Sequence, residues 1–136
     1  METINDQRKV LELLVLADNL LADRKHWTHH TNARNIWRHR VRYNHPSAVA
    51  WCLNGALLVV WRPLEYKQVD ILNSAAGELA HTIKSGRTTA WPWRVLTDAN
   101  DSTDFRTIKR YLLETIGRLT IDLAFAQAEV NRETTT

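Results

Sequence analysis

The sequence predicts an all-α fold, a compact bundle of about five helices built around a central buried one. Three observations carry this. Apolar residues recur at three- and four-residue steps near both ends of the chain. Residues 48–61 are apolar almost without interruption. The three prolines fall between these segments rather than inside them.

The first element spans residues 5–23. Val10, Leu13, Leu14, Ala17, Leu20 and Leu21 form its apolar stripe, with Asn5 or Asp6 able to cap its first turn. A polar connection carrying Trp27 leads to a weaker helix over residues 32–41, with Ala33, Ile36, Trp37 and Val41 as apolar positions. Pro46 breaks the pattern. Residues 48–61 follow, hydrophobic on nearly every side apart from Asn54, as suits a helix in the middle of a bundle. A strand of 14 residues would be unusually long, and Ala48, Leu53, Ala56 and Leu57 favour helix. Pro63 closes this element and opens the next, over residues 64–83, which Gly86 is placed to end. Residues 87–100 read as a long loop, of a length that often carries function. The last helix is marked by Phe105, Ile108, Leu112, Ile116, Leu119, Leu123 and Val130, with Asp101 or Ser102 as cap and a run of at least 25 residues. Residues 1–132 are expected to form one helical domain and residues 133–136 a disordered tail.

Composition narrows the setting. The chain has 136 residues, 44% of them hydrophobic and 24% charged, enough to bury a core without covalent staples. Cys52 is the only cysteine, so no intrachain disulfide can form. The first residues lack the layout of a secretion signal, and the 14-residue apolar run is too short to span a bilayer. A cytoplasmic protein with no membrane partner is expected.

Charge is distributed unevenly. The net charge is only +3, yet residues 24–64 contain no carboxylate. That window holds Arg24, Lys25, Arg34, Arg38, Arg40, Arg42 and Arg62, together with five of the six histidines. Arginine predominates, and its planar fork matches phosphate and carboxylate. Read as a helix, residues 32–41 would align Arg34, Arg38 and Arg42 on one face, where like charges repel until an anion arrives. Arg24, Lys25, His26, His29 and His30 lie just upstream, and Trp27, Trp37 and Tyr43 interleave the charges. Arginine for phosphates beside aromatic rings for bases is how single strands and nucleotides are held. The competing account is internal pairing with Glu65, Asp70, Glu78 or Asp104. A second acid-free stretch contains Trp91, Trp93 and Arg94, a candidate stacking platform unless the rings seal the core.

Several segments carry a resemblance. Leu20-Leu21-Ala22 followed by Trp27-Thr28, the Cys52-x-x-Gly55-Ala56 segment and the Asn100-Asp101 turn resemble the bacterial and bacteriophage family catalogued as domain of unknown function 6197. The resemblance covers roughly residues 10–120. Where that family tends to carry Trp-Asn-Asp, this chain has Ala99-Asn100-Asp101, with Leu96-Thr97-Asp98 as a competing alignment. The resemblance implies a helical fold and a phage or accessory-genome origin, and no activity.

The functional expectation is therefore a non-enzymatic protein that binds an anionic partner. Its ligand-binding residues are Arg24, Lys25, Trp27, His29, His30, Arg34, Arg38, Arg42, Trp91, Trp93 and Arg94. Nucleic acid, a nucleotide or an acidic host protein surface fits such a site, and a homodimer stays open. No cofactor is expected and no metal: His26-x-x-His29-His30 offers ligand spacing without a second clustered pair. No residue is assigned as catalytic. The rival is a small hydrolase-like or nucleotide-processing enzyme, using His26, His29, His30 or His39 with Asp98 or Asp101.

Overall fold

A computed structural model describes residues 3–64 and 68–135. Helix α1 (Ile4–Leu20) opens the chain, capped by Thr3, whose hydroxyl accepts from the Asp6 amide while the Asp6 carboxylate accepts from the Thr3 amide. This reciprocal pair satisfies two orphan donors, and it places the cap two residues earlier than Asn5. A short 3₁₀ turn (Arg24–His26) follows. Then come strands β1 (Ala33–Arg34), β2 (Arg40–Val41) and β3 (Ala50–Trp51), and helices α2 (Leu53–Trp61), α3 (Val69–Ile83), α4 (Pro92–Ser102) and α5 (Phe105–Thr135). Among the described residues, five α-helices and one small sheet make a predominantly helical fold, in line with the expected class.

Two elements differ from expectation. Residues 32–41 form a hairpin, not a helix: β1 lies between β2 and β3 and pairs antiparallel with both. Asn35 decides the turn, because its side-chain oxygen accepts from the amides of Trp37 and His39 and offers the backbone an alternative to helix. Residues 87–100 are not one long loop, since α4 begins at Pro92, whose fixed φ suits a first helical turn. The apolar run at 48–61 is divided, with its start extended as β3 and Cys52 capping α2. Helix α3 begins at Val69, and the earlier part of its expected span includes residues 65–67, which lie outside the described residues. Helix α5 is capped by Asp104, whose carboxylate accepts from the Thr107 amide at 2.8 Å, and it continues through Thr135.

One core joins the helices. Leu13, Leu14, Ala17 and Leu21 meet Leu53, Ala56 and Leu57 from α2, and Leu72, Ala75, Leu79 and Ala80 from α3. Leu96 of α4 with Ile108 and Leu112 of α5 completes it. Burial of the leucines and Ile108 among them, each contributing about 1.5–3 kcal/mol, dominates the fold's stability. Helix α3 packs against all four other helices, and α2 is wedged among α1, α3 and α4. Polar ties close the bundle's sides: Lys109 reaches Asp18 at 2.5 Å and Arg118 reaches Glu78 at 2.7 Å. No helix among the described residues is long and apolar enough to cross a membrane.

Candidate functional site

The residues that carried the resemblance meet at one place. Asn100, in the last turn of α4, is 1% exposed. Its side-chain oxygen accepts from the Trp27 indole at 2.8 Å and from the Leu53 amide at 3.0 Å. Its nitrogen donates to the Thr28 carbonyl at 3.0 Å. Asp101 next to it accepts from the His30 amide at 2.8 Å, and the His30 ring lies 3.7 Å from the same carboxylate. Cys52 caps α2 by accepting from the Gly55 amide at 3.3 Å, and its thiol contacts the Asn32 side chain at 3.5 Å. Gly55 has no room for a side chain: a Cβ there would stand 2.2 Å from the Asn32 carbonyl oxygen. These groups fasten the loop before the sheet to the start of α2 and the end of α4.

Part of this junction opens as a cleft of about 320 Å³, lined by His30, Thr31, Asn32, Cys52, Thr97, Asn100 and Asp101. His30 and Asp101 are the histidine and aspartate that the fold brings together. His26 is turned to the Val49 carbonyl, and His39 sits exposed near the hairpin turn. Burial pushes the Cys52 thiol upward from its ordinary value, against the lowering effect of the Gly55 amide. A thiol held neutral caps a helix and does not attack. Among the described residues, no three His, Cys, Asp or Glu side chains are grouped to hold a metal ion.

A second, larger cleft of about 950 Å³ lies beside the hairpin. Arg40, Arg42 and Arg62 line it with Tyr43, His45 and Asn44, and no described carboxylate does. Arg62 donates to the Tyr43 hydroxyl at 3.3 Å. Arg34 and Arg40 stand directly opposite each other in the hairpin register, a like-charge pair that disfavours the sheet. The Arg34 guanidinium answers with neutral partners: the Thr28 hydroxyl and the Arg38 carbonyl, both at 2.9 Å, and the His29 carbonyl at 3.4 Å. At the hairpin tip Trp37 is 71% exposed beside exposed Ile36 and Arg38.

The stripe expected from a helix does not exist, because residues 32–41 turn back on themselves. Of its three arginines, Arg42 lines the cleft, Arg38 stands at the tip, and Arg34 is engaged in bracing the hairpin. Arg40 and Arg62 replace the missing members. With residues 40–41 extended, Arg40 and Arg42 flank Val41 at the two-residue spacing that puts side chains on one side of the chain. The upstream residues scatter. Lys25 borders a different groove with His26 and Trp51, while Arg24 lies near Asp104. Trp27 and His29 meet edge to face and His29 abuts His30, so these three belong to the Asn100–Asp101 junction. Trp93 packs against the core and donates its indole hydrogen to Asn73, whereas Trp91 is 72% exposed and Arg94 is exposed on the same helical start.

The internal-pairing alternative can be checked partner by partner. Glu78 is engaged by Arg118, Asp70 is exposed in the first turn of α3, Asp104 caps α5 with Arg24 near it, and Glu65 lies outside the described residues. Among the described residues, no ion pair joins a carboxylate to any of the seven lysines and arginines of the window.

The sequence profile of the family of unknown function DUF6197 matches residues 5–118. The chain belongs to this family. No curated protein and no solved structure matches the chain. The DUF6197 match takes in α1 to α4, both clefts and the first half of α5, and stops at residue 118, midway along that helix.

Proposed function

We propose that this protein is a non-enzymatic binder of an anionic partner, and that the partner is a phosphate-bearing strand held by Arg40, Arg42 and Arg62. One observation carries the reading: three guanidinium groups line one open cleft in which no described carboxylate stands. Arginine forks grip phosphate oxygens in pairs of charge-assisted hydrogen bonds, stronger than those between neutral groups. Tyr43 in the cleft and Trp37 at the hairpin tip add rings on which bases can stack, each worth about 1–3 kcal/mol. A phage or accessory-genome origin suits a protein of this kind, which acts by occupying its partner.

The test is fluorescence anisotropy of a labelled single-stranded oligonucleotide. The native chain is expected to bind, the Arg40→Ala/Arg42→Ala/Arg62→Ala variant to lose most of the affinity, and Trp37→Ala to weaken it about tenfold. Equal binding by the triple variant would sink the proposal. All four side chains are exposed, so the variants should keep the native circular dichroism.

A second reading rests on the His30–Asp101 pair in the smaller cleft: an enzyme of hydrolase type in which Asp101 orients His30 as a base. Asp101→Asn keeps the acceptor for the His30 amide but removes the charge. Biological activity unchanged by that substitution argues against the enzyme and leaves the binder.

A further inference from the structure

Helix α5 has a face that the rest of the chain leaves bare. Leu113 and Ile121 are more than half exposed and Phe125 is 71% exposed. Gly117, between Leu113 and Ile121, has nothing within 4 Å of where a side chain would stand. These four residues are four apart, so they follow one ridge of the helix, about 18 Å long from first to last. Ala124 and Ala128 lie on the same side and are exposed too. The ridge begins at a cleft of about 570 Å³ formed by Phe105, Lys109, Arg110 and Leu113 with Arg106 and Glu114. A run of bare apolar side chains this continuous marks a contact surface rather than ordinary solvent exposure.

We infer that the occupant is α5 of a second copy, running antiparallel. Two features select it. First, the ridge is self-complementary about its own centre: with Leu113 set against Phe125 of the other copy, Gly117 falls against Ile121 and Ile121 against Gly117. The bulky side chain meets the empty position twice, as a two-fold interface requires. Second, charge is divided along the helix. Residues 105–114 carry Arg106, Lys109 and Arg110 against Glu114, whereas residues 124–133, which face them in this register, carry Glu129 and Glu133 against Arg132. Antiparallel pairing lays the net-positive half over the net-negative half, even with Lys109 committed to Asp18, Arg110 to Glu114 and Arg132 to Glu129. Parallel pairing would stack like on like. The seam crosses residue 118, where the DUF6197 match ends.

Light scattering coupled to size exclusion should give twice the chain mass in the micromolar range. Ile121→Glu should raise the dimer dissociation constant more than about tenfold, with unchanged helicity because the side chain is exposed. Orientation is read by mixing chains that carry Leu113→Cys with chains that carry Phe125→Cys under mild oxidation. A disulfide-linked pair should form in the mixture and not in either variant alone. Monomers at every concentration, a dimer indifferent to Ile121→Glu, or Leu113→Cys chains linking to themselves as fast as the mixture would each overturn the inference.

Discussion

Asn100 replaces three separate backbone and side-chain partners with one buried amide. Its removal strands the Trp27 indole, the Leu53 amide and the Thr28 carbonyl together. Each buried polar group left without a partner costs about 1–3 kcal/mol, so Asn100→Leu is expected to lose at least about 3 kcal/mol. Thermal melting should fall by about 10 °C or more. Leucine keeps the branched outline of asparagine without its polar atoms, so a melting point within a degree or two of the native value would show that the network contributes little. Cys52 gives a different kind of signature. Its thiol is pushed upward by burial, so the neutral form belongs to the folded state. The folded value lies above the unfolded one, about 8.5. The stability tied to the neutral thiol is therefore fully present below that pH and disappears as pH rises through the folded value. Cys52→Ser keeps an oxygen cap that does not ionise. Urea midpoints of the two chains should diverge in favour of serine as pH rises above the unfolded thiol's value, while staying parallel near neutrality. The family resemblance marked Asn100 in the sequence, but not its burial, since a buried asparagine looks like any loop asparagine until its partners arrive from residues 27, 28 and 53.

The hairpin shows what sequence periodicity hides at the scale of an element. Ala33, Ile36, Trp37 and Val41 imitate a helical stripe, yet in the fold Ala33 is buried and Ile36 and Trp37 are exposed. Asn35 held the better clue, as an Asx turn is its commonest way of diverting a chain. The α4 region failed for a related reason: Trp91, Pro92 and Trp93 look like loop punctuation, whereas proline at the first helical position begins the element. The long helices at both ends were legible because a stripe repeated over many turns cannot be mistaken for a loop. At the tip, Arg38 has φ of 65°, a left-handed conformation that glycine takes without penalty and that costs other residues about 1–2 kcal/mol. A cationic side chain kept at a strained turn position is a sign that the side chain has a use. Arg38→Gly is expected to stabilise the fold by about 1 kcal/mol in urea unfolding while weakening oligonucleotide binding. Its carbonyl, which Arg34 needs, is retained in the variant. Stability and affinity moving in the same direction would remove Arg38 from the binding surface.

At the scale of the whole molecule, two populations of charge behave differently. Four cations of the second half pair with carboxylates, Lys109 with Asp18, Arg118 with Glu78, Arg110 with Glu114 and Arg132 with Glu129, whereas among the described residues no ion pair reaches Lys84, Arg87, Arg94 or Arg106. Cations of the window are held by hydroxyls and carbonyls or face solvent. This division was visible in the sequence as an acid-free window; which arginines converge was not, because that depends on the hairpin. The division leads to a quantitative expectation. A strand of nucleic acid carries condensed counterions, and each phosphate neutralised releases about 0.7 of one from a single strand. Engagement of Arg40, Arg42 and Arg62, with Arg38 as a fourth, gives a log–log slope of affinity against salt of about −2 to −3. Each arginine of the cleft changed to alanine should flatten that slope by about 0.7 as well as lowering affinity. An acidic protein surface has no condensed ion layer to shed, so a partner of that kind would show a shallower, curved dependence on salt. The slope, measured on the native chain and on the three single variants, therefore separates strand from protein surface. A flat line for all four would place the binding energy somewhere other than these guanidinium groups.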